Sequence, residues 1–228
     1  FQPTSKSQLQ TAVNLWISDN AEALIQYGHI SDWDVSLITD MSSLFYFKQT
    51  FNDDISGWDV SNVTSMHYMF YQTDSFNQDL SDWDVSSVTT MDGMFYNALS
   101  FNQDLNDWDV SNVTRMSCTF RWAENFNGNI SDWDVSNVEY FEYMFDGTQF
   151  DQDISGWDVT GCILSNGMRY MFLNCPFNQD ISTWDVSIVT RMDGMFQGNP
   201  NFNQDISGWD VSNVTNMAYM FDGAAALS

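Results

Sequence analysis

Carboxylates are the most frequent chemistry-bearing groups in this sequence, and they recur at fixed places. Asp34, Asp59, Asp84, Asp109, Asp134, Asp158, Asp185 and Asp210 each follow a tryptophan, and Asp54, Asp79, Asp104, Asp153, Asp180 and Asp205 each stand four residues before one. Charges stacked in columns repel: two carboxylates about 5 Å apart cost roughly 0.8 kcal/mol in water and more where the dielectric is lower. Two kinds of chemistry would compensate. Each Asp can accept hydrogen bonds from backbone N–H groups and a nearby Ser hydroxyl, as Asx-type turn caps do. Alternatively, Asp and Asn oxygens from adjacent repeats converge on calcium, which takes six to eight oxygen ligands. The turn-cap reading suits the column after Trp, where one repeat supplies too few oxygens for a cage. In the Asn-Gln-Asp column a surface Ca²⁺ site at Asp54, Asp79, Asp104, Asp180 and Asp205 is possible, although no cofactor is required. Neither column matches an EF-hand loop or the calcium-binding nonapeptide.

Three further residue types invite functional readings. Asn-Val-Thr at Asn62, Asn112 and Asn213 and Asn-Ile-Ser at Asn129 fit the N-glycosylation sequon, against the plainer reading that Asn and Thr make turn bonds. Tryptophan could stack on sugar faces, but one Trp per repeat fits a packed ladder better, each ring pair contributing about 0.5–1.5 kcal/mol. Only two histidines occur, His29 at the join to the first repeat and His67 in a polar position. No nucleophile elbow, phosphate loop or HExxH helix accompanies them, and paired carboxylates that recur in every repeat do not single out a catalytic pair, so the chain reads as a non-enzyme.

Composition narrows the partners. The 228 residues are 43% hydrophobic, enough for a sizeable core, and 31 acidic against 6 basic residues give a net charge of −25. That charge repels nucleic acid and anionic membranes. No run of 18 apolar residues exists to span a membrane. Cys118, Cys162 and Cys175 lack zinc spacing; Cys162 and Cys175 could pair. The start at Phe1 rather than Met suggests a processed or trimmed chain.

The elements that position these groups follow from periodicity. Trp-Asp-Val recurs at Trp33, Trp58, Trp83, Trp108, Trp133, Trp157, Trp184 and Trp209, with spacings of 24 to 27 residues. A unit of that length cannot bury its apolar face alone and must stack on its neighbours. Inward columns are Ile or Leu three residues before each Trp, Val two after, and Phe45, Phe70, Phe95, Phe120, Phe145, Phe172, Phe196 and Phe221 further on. In the last full phrase, Phe202, Ile206 and Val211 should fill the core, Trp209 ladder and Asp210 tie a turn. The alternation in "DISGWDV" predicts a short strand, and the spacing of Met66, Met69 and Phe70 a helical turn. The expected fold is therefore a repeat solenoid of about eight coils over 30–228, capped by an amphipathic helical segment at 1–29 with Ser5 or Ser7 at its start. At the other end "MFDGAAALS" stops part-way into a further coil. Ala225, Ala226 and Leu227 are candidate contacts for another molecule covering that face.

The unit "FNQDISGWDVSNVTNMAYMF" resembles the 25-residue repeat of the BspA-like leucine-rich-repeat surface proteins, from Ile30 to Phe221. The resemblance implies a right-handed leucine-rich-repeat-like solenoid, extracellular or at the cell surface, that binds protein or glycan for adhesion and has no catalytic residues to carry over. An alternative is a structural subunit stacking end to end into a filament, by head-to-tail self-association.

Overall fold

The computed structural model describes residues 1–163, 167–224 and 226. Helix is confined to the non-repeating start: α1 spans Lys6–Ser18, α2 spans Asn20–Tyr27, and a 3₁₀ turn follows at Ile30–Asp32. The Ser5 side chain accepts the Gln8 N–H and caps α1, and Asp19 caps α2 through the Glu22 N–H. Leu9, Ala12, Val13 and Trp16 form the buried stripe of α1, at the i, i+3, i+4, i+7 spacing of an amphipathic helix. That stripe closes one end of the repeats, with the Trp16 ring edge-on to Trp33 at 6.0 Å.

From Ile30 onward the chain stacks coil upon coil, but not as the leucine-rich-repeat-like solenoid of strands and helical turns expected from the sequence. Among the described residues there is no strand. The β-type pairing between neighbouring coils is limited to isolated parallel bridges, such as Asp40 to Ser65, Ser65 to Thr90 and Arg191 to Asn216, and among the described residues no helix follows the turn at Ile30–Asp32. The backbone explains both departures. "DISGWDV" is folded into turns: Asp54 Oδ1 accepts the Ser56 N–H at 2.9 Å, and Ile55 O accepts the Trp58 N–H at 3.1 Å. Its inward residues Ile55, Trp58 and Val60, with Val63 just beyond, are accordingly spaced by three, two and three rather than by two.

The segment that looked helical is interrupted by left-handed residues, φ being 55° at Tyr68 and 51° at Gln72. The direction of the chain changes before any i+4 bond forms, and the bonds made are i+3: Met69 N–H to Met66 O and Tyr71 N–H to Tyr68 O. The N–H groups in between turn outward along the stack. Met66, Tyr68, Phe70 and Gln72 donate to the carbonyls of Thr90, Asp92, Met94 and Tyr96 in the next coil at 2.8–3.1 Å. Each coil is a chain of tight turns, bonded to its neighbour at alternate residues.

Phenylalanine fills the space this leaves. Phe45, Phe70, Phe95, Phe120, Phe145, Phe172, Phe196 and Phe221 stack at centroid distances of 5.3–6.0 Å. A second column, Phe51, Phe76, Phe101, Phe126, Phe150 and Phe177, runs beside it at 5.8–6.1 Å. Within a coil the two columns interleave at 3.8–4.2 Å. Tryptophan forms the third column, with Trp108, Trp133, Trp157 and Trp184 parallel at 6.3–6.5 Å. From Trp58 to Trp209, each indole N–H donates to a carbonyl one coil back, at Ile30, Ile55, Leu80, Leu105, Ile130, Ile154 and Ile181, at 2.7–3.2 Å. The expectation for the last coil holds only in part: Phe202 and Trp209 are buried, Ile206 is half-buried, and Val211 is 40% exposed.

Phe120 touches Phe95, Phe126, Trp133 and Phe145. Phe120→Ala should cost about 3–5 kcal/mol in urea denaturation, because stacked neighbours on both sides cannot collapse into the cavity. A loss below 1 kcal/mol would contradict this account of the core.

Candidate functional site

Most of the repeated polar residues are consumed in building the stack. Behind each Trp, Asp34, Asp59, Asp84, Asp109, Asp134 and Asp158 accept both the N–H and the hydroxyl of the Ser or Thr two residues on. Asp185 and Asp210 accept the corresponding N–H of Ser187 and Ser212. The residues considered for calcium do similar work. Asp54, Asp79, Asp180 and Asp205 each cap the Ser two residues on, and Asp104 accepts the Asn129 N–H of the next coil at 2.8 Å. These bonds hold Asp54 below the ordinary carboxylate range, chiefly through the Ser56 hydroxyl, and Asp79, Asp180 and Asp205 chiefly through backbone N–H groups. Among the described residues, no three His, Cys, Asp or Glu side chains are grouped to hold a metal ion.

Asparagine and glutamine bridge coils. Asn52, Asn77, Asn102, Asn127, Asp151 and Asn178 each accept, through the side-chain oxygen, the backbone N–H of the matching residue in the next coil at 2.7–2.9 Å. The sequon column is also engaged. The amide nitrogens of Asn62, Asn112 and Asn213 donate to Ser36, Ser86 and Ser187 O at 2.6–2.9 Å. Asn137, in a sequence that is not a sequon, donates to Ser111 O in the same way, so the column is accounted for without a glycan. Asn129 is half-buried and caps Ser131. Of the candidate assembly residues, Ala226 is half-buried, while Ala225 and Leu227 lie outside the described residues.

Both histidines make contacts within the fold. His29 Nδ1 lies 2.8 Å from the Ser31 hydroxyl at the start of the 3₁₀ turn, and the His67 ring packs on Tyr68 at 3.9 Å. All three cysteines are free, so the pairing considered for Cys162 and Cys175 does not form. Burial pushes the Cys118 thiol up to about 11 and both Cys162 and Cys175 up to about 12, far from the range of a reactive thiolate.

What the scaffold does not consume is one flank, made by the left-handed segment. Ten and fourteen residues after most Trp residues the backbone is left-handed, and these positions hold Ser43, Tyr68, Gly93, Cys118 and Tyr143 in one column and Phe47, Gln72, Asn97, Trp122 and Gly147 in the other. Where glycine stands, an aromatic ring of the preceding coil lies over it: a Cβ at Gly93 would strike Tyr68, and one at Gly194 would strike Tyr170. A non-glycine residue in this conformation costs about 1–2 kcal/mol. Phe47 and Trp122 bear that cost and are still 51% and 42% exposed.

Around them runs an aromatic strip: Tyr46 on Tyr71 at 4.8 Å, Tyr71 on Tyr96 at 4.5 Å, and Tyr96 edge-on to Trp122 at 5.3 Å. Arg121 continues it, its guanidinium 4.7 Å from the Trp122 ring and 4.0 Å from the Tyr143 ring, and Tyr143 stacks on Tyr170 at 4.8 Å. Four of the six basic residues, Arg115, Arg121, Arg169 and Arg191, lie on this flank, paired with Asp92, Asp146, Glu142 and Asp193 at 2.6–3.0 Å. Burial raises the carboxyls of Asp146 and Glu142, opposed by Arg121 and Arg169 respectively. Sequence reasoning passed over this strip, although its signal was present: it is where the repeats differ from one another and where the arginines collect.

The turn-cap account is tested at Asp84. Asp84→Ala should lower stability by about 1 kcal/mol and Asp84→Asn by less, because Asn keeps the acceptor oxygen. Millimolar Ca²⁺ should leave the melting temperature of either variant unchanged; a calcium-dependent rise would restore the metal reading.

No helix among the described residues is long and apolar enough to cross a membrane. No curated protein and no solved structure matches the chain. Residues 16–121, 103–175 and 162–228 match one family, and together they run from Trp16 to the last residue. With that coverage, the chain belongs to the family described as Mycoplasma protein of unknown function, DUF285.

Proposed function

We propose that the chain is a non-enzymatic binding module, displayed extracellularly or at a cell surface, that engages a protein or glycan through its aromatic flank. The observation that carries this reading is the exposure of Phe47 and Trp122 at strained backbone positions, beside a continuous row of tyrosines. Backbone strain kept at exposed aromatic residues whose ring contacts lie within the flank favours a role in contact. Aromatic residues with arginine are the groups enriched where proteins bind partners.

The flank is also nearly neutral in a chain of charge −25, since its arginines are paired with carboxylates. It therefore suits an uncharged surface better than a strongly cationic one. The sugar-stacking role first considered for the repeated Trp column receives no support, because those rings are 2–8% exposed. Display at a surface draws on the resemblance of the repeat to the BspA-like surface proteins. Adhesion is the use that such an array of contacts suits.

Probing a glycan array and a panel of immobilised extracellular-matrix proteins with the purified chain tests the reading. The double variant Phe47→Ala, Trp122→Ala should weaken binding to any ligand found by about tenfold or more while its melting temperature falls only slightly, because the rings are half-exposed and their ring contacts are with other flank residues. Binding that survives the double variant, or a wild-type chain that binds nothing on either panel, would overturn it.

A further inference from the structure

One left-handed column of the flank reads Phe47, Gln72, Asn97 and Trp122 in four successive coils, with φ of 60°, 51°, 55° and 59°. A shared backbone conformation at a shared register sends all four side chains to the same side of the stack. The two rings at the ends of this column are half-exposed, and the two amides between them are partly exposed. Those amides differ from the repeated ones. Gln78 and Gln103 donate to Asn52 and Asn77 O in the preceding coil at 2.8 and 2.9 Å, and Asn77 and Asn102 accept N–H groups of the next coil. Gln72 and Asn97 give their backbone N–H groups to Tyr96 and Arg121 O, but neither side chain has a hydrogen-bond partner among the described residues.

The surroundings define what such a column can hold. Beside it runs the row Tyr46, Tyr71 and Tyr96, one phenol per coil, and their hydroxyls too have no hydrogen-bond partner among the described residues. Arg115 and Arg121 lie close by, but each is already paired with a carboxylate, Asp92 or Asp146. With coils about 4.8 Å apart, Phe47 and Trp122 stand roughly 14 Å from each other along the stack. A ligand that fits must offer flat apolar faces at that separation, uncharged donors and acceptors between them, and no net charge.

We infer that the ligand of this column is a neutral oligosaccharide laid along the stack, an inference that rests on the reading of the flank as a binding surface. A pyranose has a C–H face that packs on an aromatic ring and rim hydroxyls that both donate and accept. An extended 1,4-linked chain advances by roughly the coil spacing at each sugar, so four sugars span the column. The first packs on Phe47 and the fourth on Trp122. Gln72, Asn97 and the tyrosine hydroxyls bond the two between, and an amide, with donors and an acceptor together, matches the two-way bonding of a sugar hydroxyl. An extended polypeptide advances about 3.3 Å per residue and falls out of step with the coils. Sulfated or uronic acid chains are repelled by a protein of charge −25 whose nearby arginines are paired.

Isothermal titration calorimetry of the full chain with unbranched 1,4-linked gluco-, manno- and galacto-oligosaccharides of two to six sugars tests the assignment. At least one series should bind, its tetrasaccharide about tenfold or more tighter than its disaccharide, because a disaccharide reaches only one of the two rings. Little should be gained beyond four sugars. Gln72→Ala and Asn97→Ala should each weaken the tetrasaccharide by about fivefold to tenfold and leave the melting temperature close to that of the unaltered chain, since neither amide bonds to the fold. A heparin tetrasaccharide should not bind. Silence from every neutral series, or a tetrasaccharide indifferent to both amide variants, would sink the inference. The binding reading of the flank outlives that result if the chain holds a deglycosylated matrix protein and loses it in the Phe47→Ala, Trp122→Ala variant. If the chain binds neither class, both fall together.

Discussion

The structure depends on a backbone constraint: each coil must send every second N–H of one segment to the next coil while turning back on itself between those bonds. Two left-handed residues per coil achieve this. At Tyr68 and Gln72 the chain bends so that the Met66, Tyr68, Phe70 and Gln72 N–H groups point along the stack and the Met69, Tyr71 and Thr73 N–H groups close i+3 turns. Removing either turn would send a bonded N–H to solvent and displace Phe70 from its column. The phenylalanine columns follow from the same geometry, since a coil repeated at fixed register places each ring directly over its predecessor. Ring distances vary by less than 1 Å along seven successive steps.

Such regularity explains how a chain of charge −25 stays folded. The repeated carboxylates sit on the outside, each holding N–H or hydroxyl groups of its own turn, and water screens one from the next. Their charge is offset locally by those bonds rather than by cations, which number only six. The exceptions are the buried carboxylates of the variable flank. Asp146 and Asp193 are nearly inaccessible, and each is held by arginine: Arg121 for the first, Arg169 and Arg191 for the second. Where water is excluded a carboxylate needs a partner, so the arginines are found where the buried acids are.

Column by column, what points inward was legible in the sequence. Ile55, Val60 and Phe70 and their counterparts were assigned to the core, and Trp58 and its counterparts to a ladder, by recurrence alone, and recurrence does not depend on knowing the secondary structure. The secondary structure itself was not legible. Met66, Met69 and Phe70 have the spacing of a helical turn, but a pair of i+3 turns separated by a left-handed residue places the same three side chains on one side. A clue lay in Gly93 and Gly194, which share a column with Tyr68, Tyr143 and Tyr170. A column that tolerates glycine and tyrosine alike is one where the backbone, not the side chain, is constrained. The capping bonds of Asp54 and most of its counterparts were not legible in the same way, because turn capping in every coil leaves no signature apart from the repetition.

Strain and exposure point to the same division of labour. The inward columns are fixed by ring stacking and admit little change, whereas the left-handed columns carry Ser, Tyr, Gly, Cys, Phe, Trp, Asn and Gln in different coils of one chain. The coil-to-coil bonds at these positions are made by the backbone, so the bonds themselves do not fix the side chain displayed, although an aromatic ring in one coil can require glycine in the next, as Tyr68 does of Gly93. A surface on which side chains change while the backbone beneath keeps its bonds can acquire a contact without loss of the fold. Phe47 and Trp122 lie on that surface and cost the fold a conformational penalty that glycine at Gly147 avoids. Under the binding reading proposed above, a partner would meet the molecule from that side.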